Sequence, residues 1–259
     1  TVFDGARQFE GVRPDLILNC HRIIHSAEMF GMISPVTAQE VFDICEEGCA
    51  IFKADAVLYI RPMMWSNQGS PGIIDIVPES TGFSVCIEEL AMPEIGAFKL
   101  TTSPFRRPRQ DMALTTAKAG SLYANNGRIM ADARARGFNN ALSLDINDNV
   151  AETASTNVFT VKDGEVFTPI PNGTFLNGLN RQRIIKLLRA DGVKVHEVSM
   201  TVQDFNDANE IFCTGNIAKV MPVARFEGRD MGNARLAKHA RDLYWDFALS
   251  SAHEQSNLI

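Results

Sequence analysis

The 259-residue chain has no apolar stretch approaching the roughly 18 residues that a membrane-spanning helix needs. Cysteine is scarce and scattered: Cys20, Cys45, Cys49, Cys86 and Cys213 are an odd set without the spacing of a disulfide framework or a zinc knuckle. Reduced thiols in a cytoplasmic compartment are therefore expected. Basic residues are in deficit, with Lys+Arg 25 against Asp+Glu 31, a net charge of −6 and a pI near 5.4. That balance argues against nucleic acid as the main partner, because phosphate neutralisation needs clustered Lys and Arg. Several chemical signatures are missing as well: G-x-G-x-x-G after a strand, G-x-x-x-x-G-K-[ST], H-E-x-x-H and G-x-S-x-G. The usual nucleotide, zinc-protease and hydrolase readings lose their support. His21 and His25 are four apart with Cys20 adjacent, a spacing that could set two imidazoles on one helix face, but without a third His no metal is expected.

What is present is an ordinary globular composition, 45% hydrophobic and 22% charged, long enough to bury one large core or two smaller ones. Phe9 to Leu18 reads as a hairpin or strand pair and Arg22 to Phe30 as a short helix. Thr37-x-x-Glu40 is a capping box, and the apolar spacing behind it predicts a helix ending near Lys53. Ala56 to Ile60 reads as a strand stopped by Pro62, and Phe83 to Ile87 as another. Ala117 to Arg136 reads as a helix with Gly137 at its C-cap. Strands are predicted over Ala141–Asp145, Val150–Val161 and Glu165–Thr168, the last two joined by a turn at Lys162-Asp163-Gly164. Asn180–Ala190 and Gly232–Phe247 read as helices, Val193–Val198 and Glu210–Cys213 as strands. Helices and strands mix without strict βαβ alternation, so the expected class is α+β. Thr101–Asp111 is rich in Pro and Arg and poor in apolar residues, which suggests a connection. The expected division is a small N-terminal domain over 1–100, an interdomain loop over 101–112 and a larger domain over 113–259. Arg106, Arg107 and Arg109 form a basic patch, either a solvated loop or an anion site. Thr1 to Gly5 reads like the middle of a strand without an initiator Met, so a preceding N-terminal part is expected.

Among the eight lysines, Lys162 falls in a turn, and Lys186, Lys194 and Lys238 read as surface positions. Lys118 differs, since its neighbours Ala117, Ala119 and Gly120 are small. Such a lysine is either exposed in a first helical turn or buried with the lowered pKa that Schiff-base chemistry requires.

Around Lys118, Ala117-Lys118-Ala119-Gly120-Ser121-Leu122-Tyr123 resembles the cofactor-lysine segment of the branched-chain amino acid aminotransferases, class IV enzymes of the fold-type IV pyridoxal phosphate group. Further segments recur in that family's order: Val2 to Arg7, Arg22 to Ala27, Tyr59-Ile60-Arg61-Pro62, Glu152 to Phe159, Gly178 to Arg181 and Thr214 to Ala218. Together they span essentially the whole chain. The resemblance implies a two-domain α+β fold like that of D-amino acid aminotransferase, pyridoxal 5'-phosphate as cofactor, and a homodimer.

It also implies roles. Lys118 would carry the cofactor as a Schiff base and act as the general base. Glu152 would keep the pyridine nitrogen protonated, and Tyr123 would hydrogen-bond the phenolic oxygen. Arg22 would offer a bidentate fork to the phosphate, with the amides of Leu179 and Asn180 at a helix start and a donor from Asn216. Tyr59 and the amides of Asn216 and Ile217 would hold the substrate α-carboxylate. Arg61 would meet the second carboxylate of glutamate or 2-oxoglutarate, and Phe3 would line the apolar side-chain pocket. This chain departs from the family at Ser121-Leu122, where Gly-Asn is common, at Thr156, where Glu is common, and at Asn216 and Lys219, which stand for the usual Thr and Glu. The expected activity is transamination of branched-chain L-amino acids with 2-oxoglutarate. D-amino acid or (R)-amine transamination, an aminodeoxychorismate lyase and a noncatalytic metabolite binder are the competing readings.

Overall fold

The computed structural model describes residues 1–72 and 74–250. It divides into two compact units: Thr1–Met92 with Ala117–Ser121 and the described residues from Ala248, and Pro93–Thr116 with Leu122–Phe247.

In the first unit, β1 (Val2–Phe3), β2 (Ala6–Gln8), α1 (Leu16–Met29), α2 (Ala38–Cys49), β3 (Leu58–Ser66) and β4 (Thr81–Glu89) follow in order. All strand pairs are antiparallel; β3 pairs β1 and β2 along one edge and β4 along the other. Leu58, Ile60, Pro62 and Met64 of β3 are buried, as period-two alternation requires of one sheet face. Against this strand pack Leu16, Cys20, Ile23 and Ala27 of α1 and Val41, Cys45 and Cys49 of α2. Tyr59 and Arg61 fall on the opposite, half-buried face of β3. The Thr37–Glu40 capping box forms in both directions and sets the start of α2.

The second unit holds two five-stranded sheets and the remaining helices. Its elements are β5 (Lys99–Thr102), α3 (Gly120–Ala135), β6 (Asn140–Leu144), β7 (Val150–Thr153), β8 (Asn157–Lys162), β9 (Glu165–Pro169), α4 (Leu179–Ala190), β10 (Val195–Val198), α5 (Val202–Asn206), β11 (Glu210–Gly215), β12 (Lys219–Pro222), β13 (Arg225–Phe226), β14 (Arg229–Asp230) and α6 (Arg235–Leu249). One sheet runs β10-β9-β8-β11-β12, the other β14-β13-β5-β6-β7. Asp163 and Gly164 both take positive φ, 51° and 82°, the geometry of a two-residue hairpin turn between β8 and β9. Gly137, at φ 82°, ends α3 with its N–H on the Arg134 carbonyl and that of Phe138 on Ala133. A core of Leu100, Leu142, Val158, Phe205, Ile211 and Phe226 joins the two sheets.

Several local expectations are corrected. The helix expected from Arg22 starts at Leu16, and the hairpin expected over Phe9–Leu18 reduces to a single bridge between Phe9 and Val12. Leu16-Cys20-Ile23-Ala27 is already a helical stripe; a short apolar run such as Leu16–Leu18 does not separate helix from strand. The second helix stops at Cys49 rather than near Lys53. β3 runs through Pro62, whose carbonyl accepts from Asp4 N–H at 2.9 Å. In an antiparallel strand the missing N–H lies on that same edge, where the partner chain is interrupted between β1 and β2, so no ladder bond is lost. Val150–Val161 is two strands rather than one.

The chain division also differs from the expected one. The first unit's opening segment ends at Met92, and 101–112 lies inside the second unit, where β5 pairs in parallel with β6. The segment Ala117–Ser121 groups with the first unit because its backbone pairs with β1. Among the described residues no helix is long and apolar enough to cross a membrane.

Candidate active site

Lys118 is not in a helical turn. α3 begins at Gly120, and the lysine lies at the centre of a tight turn closed by the Ala119 N–H on the Ala117 carbonyl at 3.0 Å, next to the bridge between Ala119 and Val2 of β1. Its carbonyl accepts from Phe3 N–H at 3.1 Å, and its N–H donates to Ser26 Oγ at 3.1 Å. Ala117 and Ala119 on either side are fully buried, so the backbone is held while the side chain is half-buried. The Lys118 ammonium lies 4.9 Å from the Phe3 ring centroid, and the Arg61 guanidinium lies 4.4 Å from the same centroid. Phe3 thus carries a cation contact from two residues that the sequence had assigned to one pocket. The register explains it: Phe3 pairs with Met63 on β3, and cross-strand partners share a face with Arg61 and Tyr59. Gly5 is required here, because a Cβ would sit 2.6 Å from the Tyr59 hydroxyl. Phe3, Tyr59, Arg61 and Lys118 all belong to this first unit.

Arg22 stands in the same unit, on α1, but its fork is already engaged. Nε and Nη2 donate to the two oxygens of Asp4 at 2.7 Å each, and Asp4 is completely buried. Asp4 also accepts from Asn19 Nδ2 and from the Gly5 N–H. The bidentate edge expected to serve a phosphate therefore serves a buried carboxylate.

Tyr123, Glu152, Leu179, Asn180, Asn216 and Ile217 belong to the second unit. Glu152 is buried on β7, paired in register with Ser143 of β6. Its carboxylate lies 3.2 Å from Arg107 Nη2. Arg107, also buried, donates from Nε to the Thr174 carbonyl and from Nη1 to Asn126 Oδ1. The sequence offered Arg107 only as one member of a loop patch. No periodicity marks a residue whose partners are 19, 45 and 67 positions away, so nothing local could have singled it out. Arg106 and Arg109 pair instead with Asp148 and Asp111 near the surface. Tyr123 is half-buried in the first turn of α3.

The start of α4 has no side-chain cap. Gly178 is the N-cap, so the first N–H groups of the helix have no acceptor within it. Asn157 Oδ1 accepts from Gly178 N–H at 3.2 Å while its Nδ2 donates to the Leu176 carbonyl, fixing the entry loop. A Cβ on Gly178 would lie 2.3 Å from that oxygen, and one on Gly215 would lie 2.8 Å from Thr156 Cγ2. Both glycines keep this region open.

Beside it, Asn216 Oδ1 accepts from Asn180 Nδ2 at 3.3 Å and from Lys219 Nζ at 2.7 Å, and the Tyr244 hydroxyl donates to Asn180 Oδ1 at 3.3 Å. An uncapped helix start flanked by a cation and amide donors matches a phosphate in charge and hydrogen-bonding type. Asn216 and Ile217 also line a cavity of about 590 Å³ with Phe98, Met130, Thr156 and Met221. Lys219, noted in the sequence only as a departure, is buried and takes φ 62°. No local signal marked it, since the left-handed position carries neither Gly nor Asn.

The comparisons with known proteins agree with one another. The family described as Amino-transferase class IV matches residues 1–226. An aminotransferase from Brucella abortus, solved bound to the cofactor PLP, shares 47% identity and superposes with a TM-score of 0.94, covering 95% of this chain and 88% of its own. A branched-chain amino acid aminotransferase structure from Escherichia coli shows 25% identity and a TM-score of 0.89, over 95% of this chain and 85% of its own. The branched-chain-amino-acid aminotransferase of Pseudomonas aeruginosa is 28% identical over 244 residues, 90% of this chain and 78% of that protein.

Proposed function

Because the chain belongs to the amino-transferase class IV family, we propose that it moves amino groups between branched-chain L-amino acids and 2-oxoglutarate. It is an aminotransferase of the fold-type IV group, and its cofactor is pyridoxal 5'-phosphate. When bound, that cofactor supplies an aldehyde carbon to receive the amino group and a cationic ring that draws electrons from the substrate Cα.

The roles are those that the family resemblance assigns, and each suits the chemistry of its residue. Lys118 Nζ would hold the cofactor and serve as the base for the proton at the substrate Cα; its backbone is fixed by the bonds to Phe3 and Ser26. Glu152 holds the ring nitrogen in its protonated form, with Arg107 fixing the carboxylate. Tyr123 donates to the phenolic oxygen. The amides of Leu179 and Asn180, together with Asn216, take the phosphate. By the family resemblance, the amides of Asn216 and Ile217 would bind the α-carboxylate, and Tyr59 is assigned to the same group.

The observation that carries the substrate choice is the Phe3 ring with Arg61 on it at 4.4 Å. A donor such as leucine needs an apolar wall, and an acceptor such as 2-oxoglutarate needs a cation within the same pocket. One residue pair offers both. A panel of L-leucine, L-isoleucine, L-valine, D-alanine and (R)-1-phenylethylamine, each with 2-oxoglutarate, tests the reading. Turnover of the three branched L-amino acids is expected; turnover of the D-amino acid or the amine without them would reject it. The homodimer belongs to the same proposal and is checked by sedimentation.

A further inference from the structure

Strands β11 and β12 are joined by Asn216, Ile217 and Ala218, and the hairpin closes on the pair Gly215 and Lys219. Lys219 occupies the left-handed region at φ 62°, where glycine or asparagine is the unstrained choice. Its side chain is 1% exposed, although lysine is among the residues least often buried. Two unfavourable choices coincide at one residue, which points to a role for that residue.

The role is legible in what the ammonium touches. Nζ donates to Asn216 Oδ1 at 2.7 Å and lies 5.6 Å from the Tyr244 ring centroid. Asn216 Oδ1 also accepts from Asn180, the second residue of α4, and Tyr244 donates to the same Asn180. With its carbonyl oxygen turned to Lys219 and Asn180, the Asn216 amide has a fixed sense: its NH2 end points away from the two donors. The Lys219 amine also stands in the protein interior beside the helix start, where electrostatic interactions are screened less than at the surface.

We propose that Lys219 is a positioning residue for the anion site at the start of α4: it locks the Asn216 amide and supplies the charge by which the protein selects a 5'-phosphorylated cofactor over its unphosphorylated form. This rests on the reading that the cofactor phosphate lies at that helix start.

The test resolves the holoenzyme with hydroxylamine and re-titrates the apoenzyme with pyridoxal 5'-phosphate and, separately, with pyridoxal. Wild type, Lys219→Met and Lys219→Arg are compared by fluorescence and by the melting temperature of each apo form. For Lys219→Met, the Kd for pyridoxal 5'-phosphate is expected to rise about tenfold or more, as loss of a charge-assisted contact implies. The Kd for pyridoxal should stay within about twofold, and Lys219→Arg, which keeps a cationic donor, should recover part of the selectivity. Asn216→Ala should lower the same selectivity, and adding Lys219→Met to it should lower it little further. Equal weakening of both ligands, or an unchanged Kd for the phosphorylated one, would overturn the proposal. If Lys219→Met does not fold, Lys219→Gln carries the comparison. A wild type that binds both ligands equally well would instead remove the phosphate reading itself.

Discussion

Arg107 holds Glu152 through a 3.2 Å ion pair in which both side chains are almost sealed from water. The arginine is in turn tied to Thr174 and Asn126, so the carboxylate is oriented by a network rather than by a single contact. Removing one partner of such a pair leaves a buried charge uncompensated. Arg107→Met should therefore cost about 3–5 kcal/mol of stability. It should also weaken the cofactor's protonated ring form. Urea unfolding and the holoenzyme's visible spectrum measure the two effects, and a variant as stable as wild type would show the pair to be dispensable.

Lys118→Ala should abolish transamination and remove the absorbance band expected near 410–430 nm, roughly where a lysine-bound pyridoxal cofactor absorbs. Cofactor held by the remaining contacts would absorb at shorter wavelength. Retention of the long-wavelength band would show that another amine carries the cofactor.

Arg61 and Phe3 share one contact but serve different substrates in the proposed reaction. Arg61→Leu should raise KM for 2-oxoglutarate or glutamate about 10–100-fold, the order expected for a lost charge-assisted bond. KM for leucine should change by less than about threefold. Steady-state kinetics with each substrate varied in turn would check this, and equal effects on both would place Arg61 outside the second-carboxylate contact.

Gly178→Ala should disturb the loop into α4, because the added methyl would meet Asn157 Oδ1 at 2.3 Å. Either the asparagine gives up its bonds to Gly178 and Leu176 or the loop moves. A loss of about 1–3 kcal/mol is expected. Cofactor should also dissociate more readily, which dialysis followed by absorbance would reveal.

The thiols should separate by burial. Burial pushes the Cys213 thiol up to about 12 and the Cys49 thiol up to about 11. The Cys20 thiol is raised by its hydrogen bond to Cys45 and by burial. A raised thiol pKa leaves the neutral, unreactive form in place at pH 8. Exposed Cys86 should be alkylated by iodoacetamide in the folded protein, and the others only after denaturation. Mass spectrometry of labelled peptides would read the pattern; rapid native labelling of Cys213 would contradict it.

Capping boxes, glycine turns and apolar periodicity are local, and they were legible. Thr37 and Glu40 announce α2, Asp163-Gly164 announces the β8–β9 hairpin, and Gly137 announces the end of α3. What misled was also local. Leu16–Leu18 looked like strand because so short a run has no period, and Lys118 looked like the first turn of the helix that follows it. Its true backbone partner, Phe3, is more than a hundred residues away in the chain.

The sequence by itself determined which chemical groups are present and, through the order of its motifs, the family: a lysine between two alanines, a glutamate on a strand, a glycine opening a helix. Tertiary structure alone decided that Arg107 serves Glu152, that Arg22 turns its fork to Asp4, and that Lys219 is drawn inside onto Asn216. The physical reason is range. Backbone propensity and capping act over a few residues, whereas the energy of a buried charge depends on whichever distant groups the fold brings within hydrogen-bonding reach.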